Sequence, residues 1–428
     1  MTNNITVKED SFLCESYTKI CHRSGLDIYV FPKKMTTTFA VFGTRYGSID
    51  NKFRFKKDSD ITEVPEGIAH FLEHKLFDNE DGTDTFSRYA KTGANANAFT
   101  SFDKTAYLFS CTENFSESLE ILLDFVTKPY FTDKSVQKEQ GIIGQEIKMG
   151  EDNPGRVLFF NLMKALYENN PVRISIAGTV ESISNINAEL LYKCYNTFYN
   201  LRNMVLCISG DVDVSEVIEI ADRMLEDASD CGIERVIGKE NDCVAKNLIS
   251  TKMQVSKPLF LIGVKDNKIP DEPKERLKKA AGMAVLNEIM FSKSSKIFNE
   301  LYEEGLISDG FDYCYSISRS FAFSEIGGES SDPDTVYGRI REYIREMQKK
   351  GIDKEAFERS KKVIYSDFIK SFDSTEEIAC EMMSYLFEGC DIFDNADAIR
   401  ALELNDVLGL LDTMYSDEYF AISTVNPV

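Results

Sequence analysis

His70-Phe71-Leu72-Glu73-His74 holds two of the three histidines in a chain of 428 residues. On a helix, residues four apart lie one turn apart on a single face, so both imidazoles can converge on one ion with Glu73 beside them. Ile68, Ala69, Leu72 and Leu76 fall on the opposite side, which describes a helix with a packed back and a functional front. At this histidine content the five-residue pattern arises by chance roughly 0.002 times per chain, so it is a signal and not a coincidence. Catalytic zinc takes three protein ligands and leaves one position open for water. No histidine follows residue 74, and His22 falls in a turn-like Cys-His-Arg-Ser-Gly segment expected to be exposed. The third ligand is therefore expected to be a carboxylate. Glu139 and Glu146 stand seven apart, on one face of the helix that begins at Asp133. An ordinary solvated helix face gives the same spacing, so that pair does not by itself define a site.

Strand-like runs at 16–20, 26–30 and 38–46 precede the histidine helix, and two more at 95–99 and 105–111 follow it around the turn Ser101-Phe102-Asp103-Lys104. Amphipathic helices at 114–127 and 133–150, a helix at 189–199, a strand at 204–209 and a helix at 214–225 complete the first half. The second half runs through a strand at 259–264, a helix at 274–291, a shorter helix ending at Glu303-Glu304-Gly305, strands at 311–317 and 321–326, and helices at 334–349 and 353–369. The order of elements repeats, and Asp133-Lys134 and Asp353-Lys354 open corresponding helices 220 residues apart. A period near half the chain length is the mark of a duplicated unit. The expected fold class is α+β, with two homologous domains, each a mainly antiparallel sheet packed with helices. The polar, aperiodic stretch with Gly232 and Gly238 gives the expected boundaries: a metal-bearing domain at 1–228, a linker at 229–248 and a homologous domain without the metal site at 249–428.

Composition narrows the class of partner. Lys and Arg number 49 against 71 Asp and Glu, a net charge of −22. Affinity for phosphate backbones comes from cationic side chains displacing counterions, so no nucleic acid partner is expected, and no anionic membrane surface for the same reason. The first sixteen residues carry Lys8, Glu9 and Asp10 with no apolar run, and the ten cysteines are scattered without a CxxC pair. Both features fit a cytoplasmic protein with reduced thiols. No phosphate-loop, nucleophile-elbow or dinucleotide signature is present.

An inverted HxxEH motif followed some seventy residues later by a glutamate pair in ExxxxxxE spacing resembles the pitrilysin/insulinase family of zinc metallopeptidases, which includes the mitochondrial processing peptidases. The run Gly93-Ala94-Asn95-Ala96-Asn97-Ala98-Phe99-Thr100-Ser101, with Thr105 and Tyr107 after it, is similar to that family's strand beside the metal helix. Gly178-Thr179 and the Gly210-Asp211-Val212 turn match as well, and within the family the likeness is to the bacterial two-domain, YmfH-like branch. The resemblance implies a zinc endopeptidase holding one Zn2+ per chain through His70, His74 and Glu146. It makes Glu73 the general base that takes a proton from the attacking water, and Glu139 the carboxylate that orients a ligating imidazole. It also implies that Asn97, Ala98, Phe99 and Thr100 form an edge that pairs with an extended peptide by main-chain hydrogen bonds.

One departure bears on partners. Family members that complete their own active site carry an Arg and, seven residues on, a Tyr after the first helix of the second domain. The corresponding stretch, Leu301 to Ser308, has neither in place. The second half has no histidine, and Arg359 and Ser366 stand where Glu139 and Glu146 would be, so it is expected to hold no second metal site. The resemblance thus implies a heterodimer in which a related subunit supplies the Arg/Tyr pair, with a homodimer as the alternative. Two other functions remain: a non-catalytic assembly subunit of the same fold, and a zinc hydrolase acting on a small molecule.

Overall fold

The computed structural model describes residues 3–55, 60–229 and 232–428. Two compact units emerge: Met1–Ile147 with Ser175–Val236 and Ser371–Phe387, and Lys148–Ile174 with Ile237–Lys370 and Glu388–Val428. Among the described residues, the first unit is built on a seven-stranded sheet in the order Asn4–Asp10, Glu15–Cys21, Asp27–Pro32, Met204–Gly210, Thr38–Thr44, Thr105–Cys111, Asn95–Thr100. Neighbours are antiparallel except for Asp27–Pro32 against Met204–Gly210. The second unit has a five-stranded sheet in the order Leu248–Met253, Phe420–Pro427, Leu259–Lys265, Ala322–Glu329, Asp312–Ile317. Its parallel pair joins its first strand in sequence to its last, Leu248–Met253 with Phe420–Pro427, whereas that of the first sheet joins the third to the last. The last five strands of the first sheet match these one for one. The fold is α+β, and the duplication extends to topology.

The central strands explain how each sheet is closed. Thr38–Thr44 and Met204–Gly210 are buried at every position, so both faces of the sheet need a covering layer. Helix Phe115–Thr127 packs on Thr38–Thr44 and Thr105–Cys111. Helix Thr375–Glu388 reaches the same strand at Gly43, where a Cβ would lie 2.4 Å from Met383 Sδ. In the second unit, helix Pro154–Leu166 packs on Leu259–Lys265 and Phe420–Pro427. A Cβ on Gly263 would lie 2.8 Å from Leu162 Cδ1. Gly43 and Gly263 are 220 residues apart, the spacing of the two Asp-Lys pairs. Each sheet is therefore closed by a helix drawn from the other half of the sequence, seated where a glycine leaves room.

This differs from the partition at 1–228 and 249–428, because 148–174 belongs to the second unit and 371–387 to the first. The physical reason is the two-faced apolar sheet, which a sequential cut through the chain would leave open on one side. The expected linker at 229–248 is also corrected; of it, residues 230 and 231 lie outside the described residues. Ile233–Arg235 is a strand paired with Lys52–Phe55 in the first unit. Glu240 is fixed in the second unit, accepting the backbone N–H groups of Glu168, Asn169 and Asn170 at 3.0, 2.8 and 2.7 Å and the Lys265 ammonium at 3.0 Å. No helix among the described residues is long and apolar enough to cross a membrane.

Candidate metal centre

Helix Ile68–Lys75 is entered through Gly67, whose φ of 86° is left-handed. A Cβ there would sit 2.4 Å from the Ala177 carbonyl oxygen, and one on Gly178, with φ of 72°, would sit 2.5 Å from that of Glu66. Two backbones cross at this point, and glycine meets both the dihedral and the space requirement. Ser182 Oγ donates to Glu66 O at 2.9 Å, and a Thr179–Ser182 capping box fixes the crossing segment. The start of the histidine helix is thereby clamped. Ile68, Ala69, Phe71 and Leu72 are buried, and His70 and His74 are half-buried.

Helix Asp133–Glu151 buries Val136, Ile143 and Ile147 and turns Glu139 and Glu146 toward the histidines. Glu146 Oε1 lies 3.5 Å from His70 Nε2, and its Oε2 lies 3.6 Å from His74 Nε2. Candidate ligand atoms of His70, His74 and Glu146 all fall within 4.8 Å of one another. Bonds of 2.0–2.2 Å in a tetrahedral zinc site put neighbouring donors roughly 3.4 Å apart, so these spacings suit a shared ion. Two imidazole nitrogens and one carboxylate also form the donor set of a hydrolytic zinc site with a position left open. The residues present fit the metal.

Glu139 Oε1 lies 3.0 Å from His74 Nδ1. With the Nδ1 hydrogen given to Glu139, the Nε2 lone pair of His74 is directed at the cluster. Burial works to lower the His74 pKa, but the Glu139 hydrogen bond and the nearby carboxylates outweigh it and raise it. Burial likewise pushes Glu139 up, and its bond to His74 reverses the sign, leaving it below the usual carboxylate range. The pair is electrostatically self-consistent. Glu73 is different: it is 8% exposed, and burial holds its carboxyl above the ordinary range even though a hydrogen bond from Thr100 Oγ1 to its Oε2, at 2.5 Å, pulls the other way.

Asn95–Thr100 is the outermost strand of its sheet, paired on one side with Thr105–Cys111. Asn97 is exposed, Ala98, Phe99 and Thr100 are half-buried, and the Ala98 N–H is held by Asn97 Oδ1 at 2.9 Å. His22, expected to be exposed, is buried: its Nδ1 lies 2.8 Å from Ser24 Oγ and its Nε2 3.1 Å from Asp222 Oδ1. A turn residue became a core hydrogen-bonding group because Asp222, some two hundred residues on, supplies the partner. The sequence reading placed Thr100 only on the edge strand and missed its hydroxyl contact with Glu73. The threonines on either side of the hairpin tip, Thr100 and Thr105, were the available signal.

A model of "Insulinase (Peptidase family M16)" matches residues 61–180, and one of the "Peptidase M16 inactive domain" matches 185–364. The Bacillus subtilis protein named "Uncharacterized zinc protease YmfH" is 42% identical over 410 residues, covering 94% of this chain and 95% of that protein. An M16-like peptidase from Alicyclobacillus acidocaldarius superposes with a TM-score of 0.92 at 32% identity, over 100% of this chain and 99% of the other. A protease from Helicobacter pylori, at 18% identity and a TM-score of 0.79 over 96% of this chain and 100% of its own, shares the fold. The first match falls on the segment that carries His70, His74 and Glu146, and similarity at this level spans the whole chain: it belongs to peptidase family M16, the insulinase family.

Proposed function

We propose that this chain is a zinc-dependent endopeptidase that hydrolyses peptides or short unfolded segments. The observation that carries the reading is the convergence of His70 Nε2, His74 Nε2 and the Glu146 carboxylate, with the buried carboxylate of Glu73 on the same helix. Zinc bound by these three side chains would lower the pKa of a coordinated water toward about 7 and polarise the scissile carbonyl. Glu73 acts as the general base, accepting a proton from the attacking water and returning it to the departing amine. Glu139 fixes the His74 ring so that its Nε2 stays aimed at the site. The exposed edge strand Asn95–Thr100 supports a substrate class: an extended peptide can add to it by main-chain hydrogen bonds, with Asn97, Ala98, Phe99 and Thr100 beside the reacting bond.

The second unit contributes no metal ligand to this reading, and the stretch Leu301 to Ser308 lacks an Arg and a Tyr in the places where the family resemblance implies them. A related subunit therefore supplies those substrate-binding groups in a heterodimer. A cleavage rate that is unchanged by adding such a subunit and by dilution would remove this part of the proposal, whereas a rate per chain that rises with concentration would point to a homodimer.

The test of the activity is metal analysis together with peptide cleavage by wild type and Glu73→Gln. Zinc near one per chain is expected in both, with cleavage lower by about two to four orders of magnitude in the variant, the usual share of a general base. A wild type without zinc would favour an assembly subunit of the same fold, and a zinc-loaded wild type that cleaves no peptide, alone or with a related subunit, would leave a zinc hydrolase acting on a small molecule or such a subunit.

A further inference from the structure

We propose that Thr100 is a positioning residue for Glu73: its hydroxyl holds carboxylate oxygen Oε2, which reserves Oε1 as the oxygen that exchanges protons in the reaction. The inference rests on the peptidase reading above and deepens it. A threonine hydroxyl has one hydrogen to give. Thr105 Oγ1 donates its hydrogen to the Tyr46 carbonyl at 2.8 Å, and so faces Thr100 only as an acceptor. Thr100 Oγ1 has two acceptors in reach, Glu73 Oε2 at 2.5 Å and Thr105 Oγ1 at 3.3 Å. The nearer, ionisable acceptor takes the hydrogen, since a bond to a carboxylate is the stronger one. Among the described residues, Glu73 Oε1 has no hydrogen-bond donor.

The mount for this hydroxyl is rigid. Thr100 and Thr105 are the last cross-strand pair of their hairpin. The tip between them is closed by Ser101 N–H to Lys104 O at 2.8 Å and is held from outside by Ser48 N–H to Ser101 O and Ile49 N–H to Phe102 O, both at 3.0 Å. Gly47 lets that loop approach, because a Cβ there would lie 2.3 Å from Phe102 O. The terminal torsion of a glutamate is broad, so an unheld carboxylate exchanges its two oxygens freely. With Oε2 held, the chemistry has one route. A water O–H bond breaks as its oxygen bonds to the carbonyl carbon, and the proton passes to Oε1. The same proton then leaves Oε1 for the amide nitrogen as the C–N bond breaks, giving an acid and an amine with one water consumed.

The experiment compares Thr100→Val, which keeps the shape and removes the hydroxyl, with Thr100→Ser, which keeps the hydroxyl. Both are measured in the full chain for zinc content, melting temperature, affinity for a non-cleavable reduced-amide peptide, and kcat and KM on a fluorogenic peptide. Thr100→Val is expected to lower kcat roughly tenfold to a hundredfold, with KM, reduced-amide affinity and zinc content within about twofold of wild type, and Thr100→Ser to restore kcat to within about threefold. The valine change should add little to the loss already present in Glu73→Gln, since it acts through that carboxylate. A rise in KM with kcat unchanged, or an equal additional loss in the Glu73→Gln background, would show that Thr100 only shapes the edge strand and would overturn the proposal. An active wild type with an equally active Thr100→Val would remove this inference alone. A zinc-loaded but inert wild type would remove the peptidase reading and this inference with it.

Discussion

The two units share a strand order, one parallel pair and a covering helix borrowed from the opposite half of the sequence, yet their chemistry differs completely. In the first, helix Ile68–Lys75 brings His70 and His74 to Glu146 on helix Asp133–Glu151. In the second, helix Pro273–Phe291 contains no histidine, and helix Lys354–Ser371 carries Arg359 and Ser366 at the positions of Glu139 and Glu146. Apolar burial on both faces of a sheet is common to the pair and maintains the fold in each. The site depends on a handful of side chains that packing does not require, so one copy kept the scaffold without them.

The comparison can be broken most severely at the cluster. His74→Ala is expected to abolish both stoichiometric zinc binding and peptide cleavage, read by metal analysis and turnover. The converse substitution sharpens it: Arg359→Glu with Ser366→Glu gives the second unit the missing carboxylates, and zinc should still bind at one per chain, because two carboxylates without imidazoles do not rebuild the donor set. A second tightly bound zinc in that variant would show that carboxylates alone separate the two units.

Glu139→Gln should weaken zinc binding by roughly tenfold to a hundredfold in chelator competition, the usual effect of removing the group that orients a ligating imidazole. The covering helices give a gentler test. Gly43→Ala and Gly263→Ala each push a methyl group into a seated helix, at a cost of about 1–3 kcal/mol by overpacking, and thermal or denaturant unfolding reads it. Gly263→Ala is expected to be the worse of the two. Its neighbours are Leu162 and Leu166, whereas the nearest contact at Gly43 is Met383, whose unbranched side chain can move aside, with the Phe387 ring farther off at 3.2 Å. Equal effects would mean that the helices, and not their tips, absorb the strain.

The smallest effect concerns pH and the first unit only, since the second unit has no histidine. Burial lowers the pKa of His22 below its ordinary 6.5, against the opposing pull of Asp222. The unfolded chain therefore takes up this proton first as pH falls. Stability from this group is present above the ordinary pKa and is lost as pH drops below it. His22→Gln should make the melting temperature less sensitive to pH in that window, a small change best seen by difference from wild type.

Much of the first unit could be read without coordinates. The strands at 27–32, 38–44, 95–100 and 105–111 and the helices at 115–127 and 133–151 lie within a few residues of their expected bounds, because turn residues bound the strands and apolar residues recur at helical spacing in the helices. Asn4–Asp10 escaped notice, as six of its seven residues are exposed and it has no buried face to leave a pattern. Helix Pro154–Leu166 was missed despite a proline at its first turn and Asn153 capping the Arg156 N–H, both of which are visible in sequence.

The sequence by itself determined the imidazole pair of the candidate site and the half of the chain that holds it. Three histidines, two of them four apart, confine any imidazole-based metal site to the first half, since helical spacing is a local property. It also determined the repeat, through element order and the 220-residue offset. Tertiary structure alone decided which carboxylate oxygens meet which nitrogens, that His22 is buried against Asp222, that Thr100 holds Glu73, and that each sheet is covered by a helix from the other half. All of these are contacts between residues far apart in the chain. Their geometry depends on how apolar faces close over one another, which no local pattern encodes.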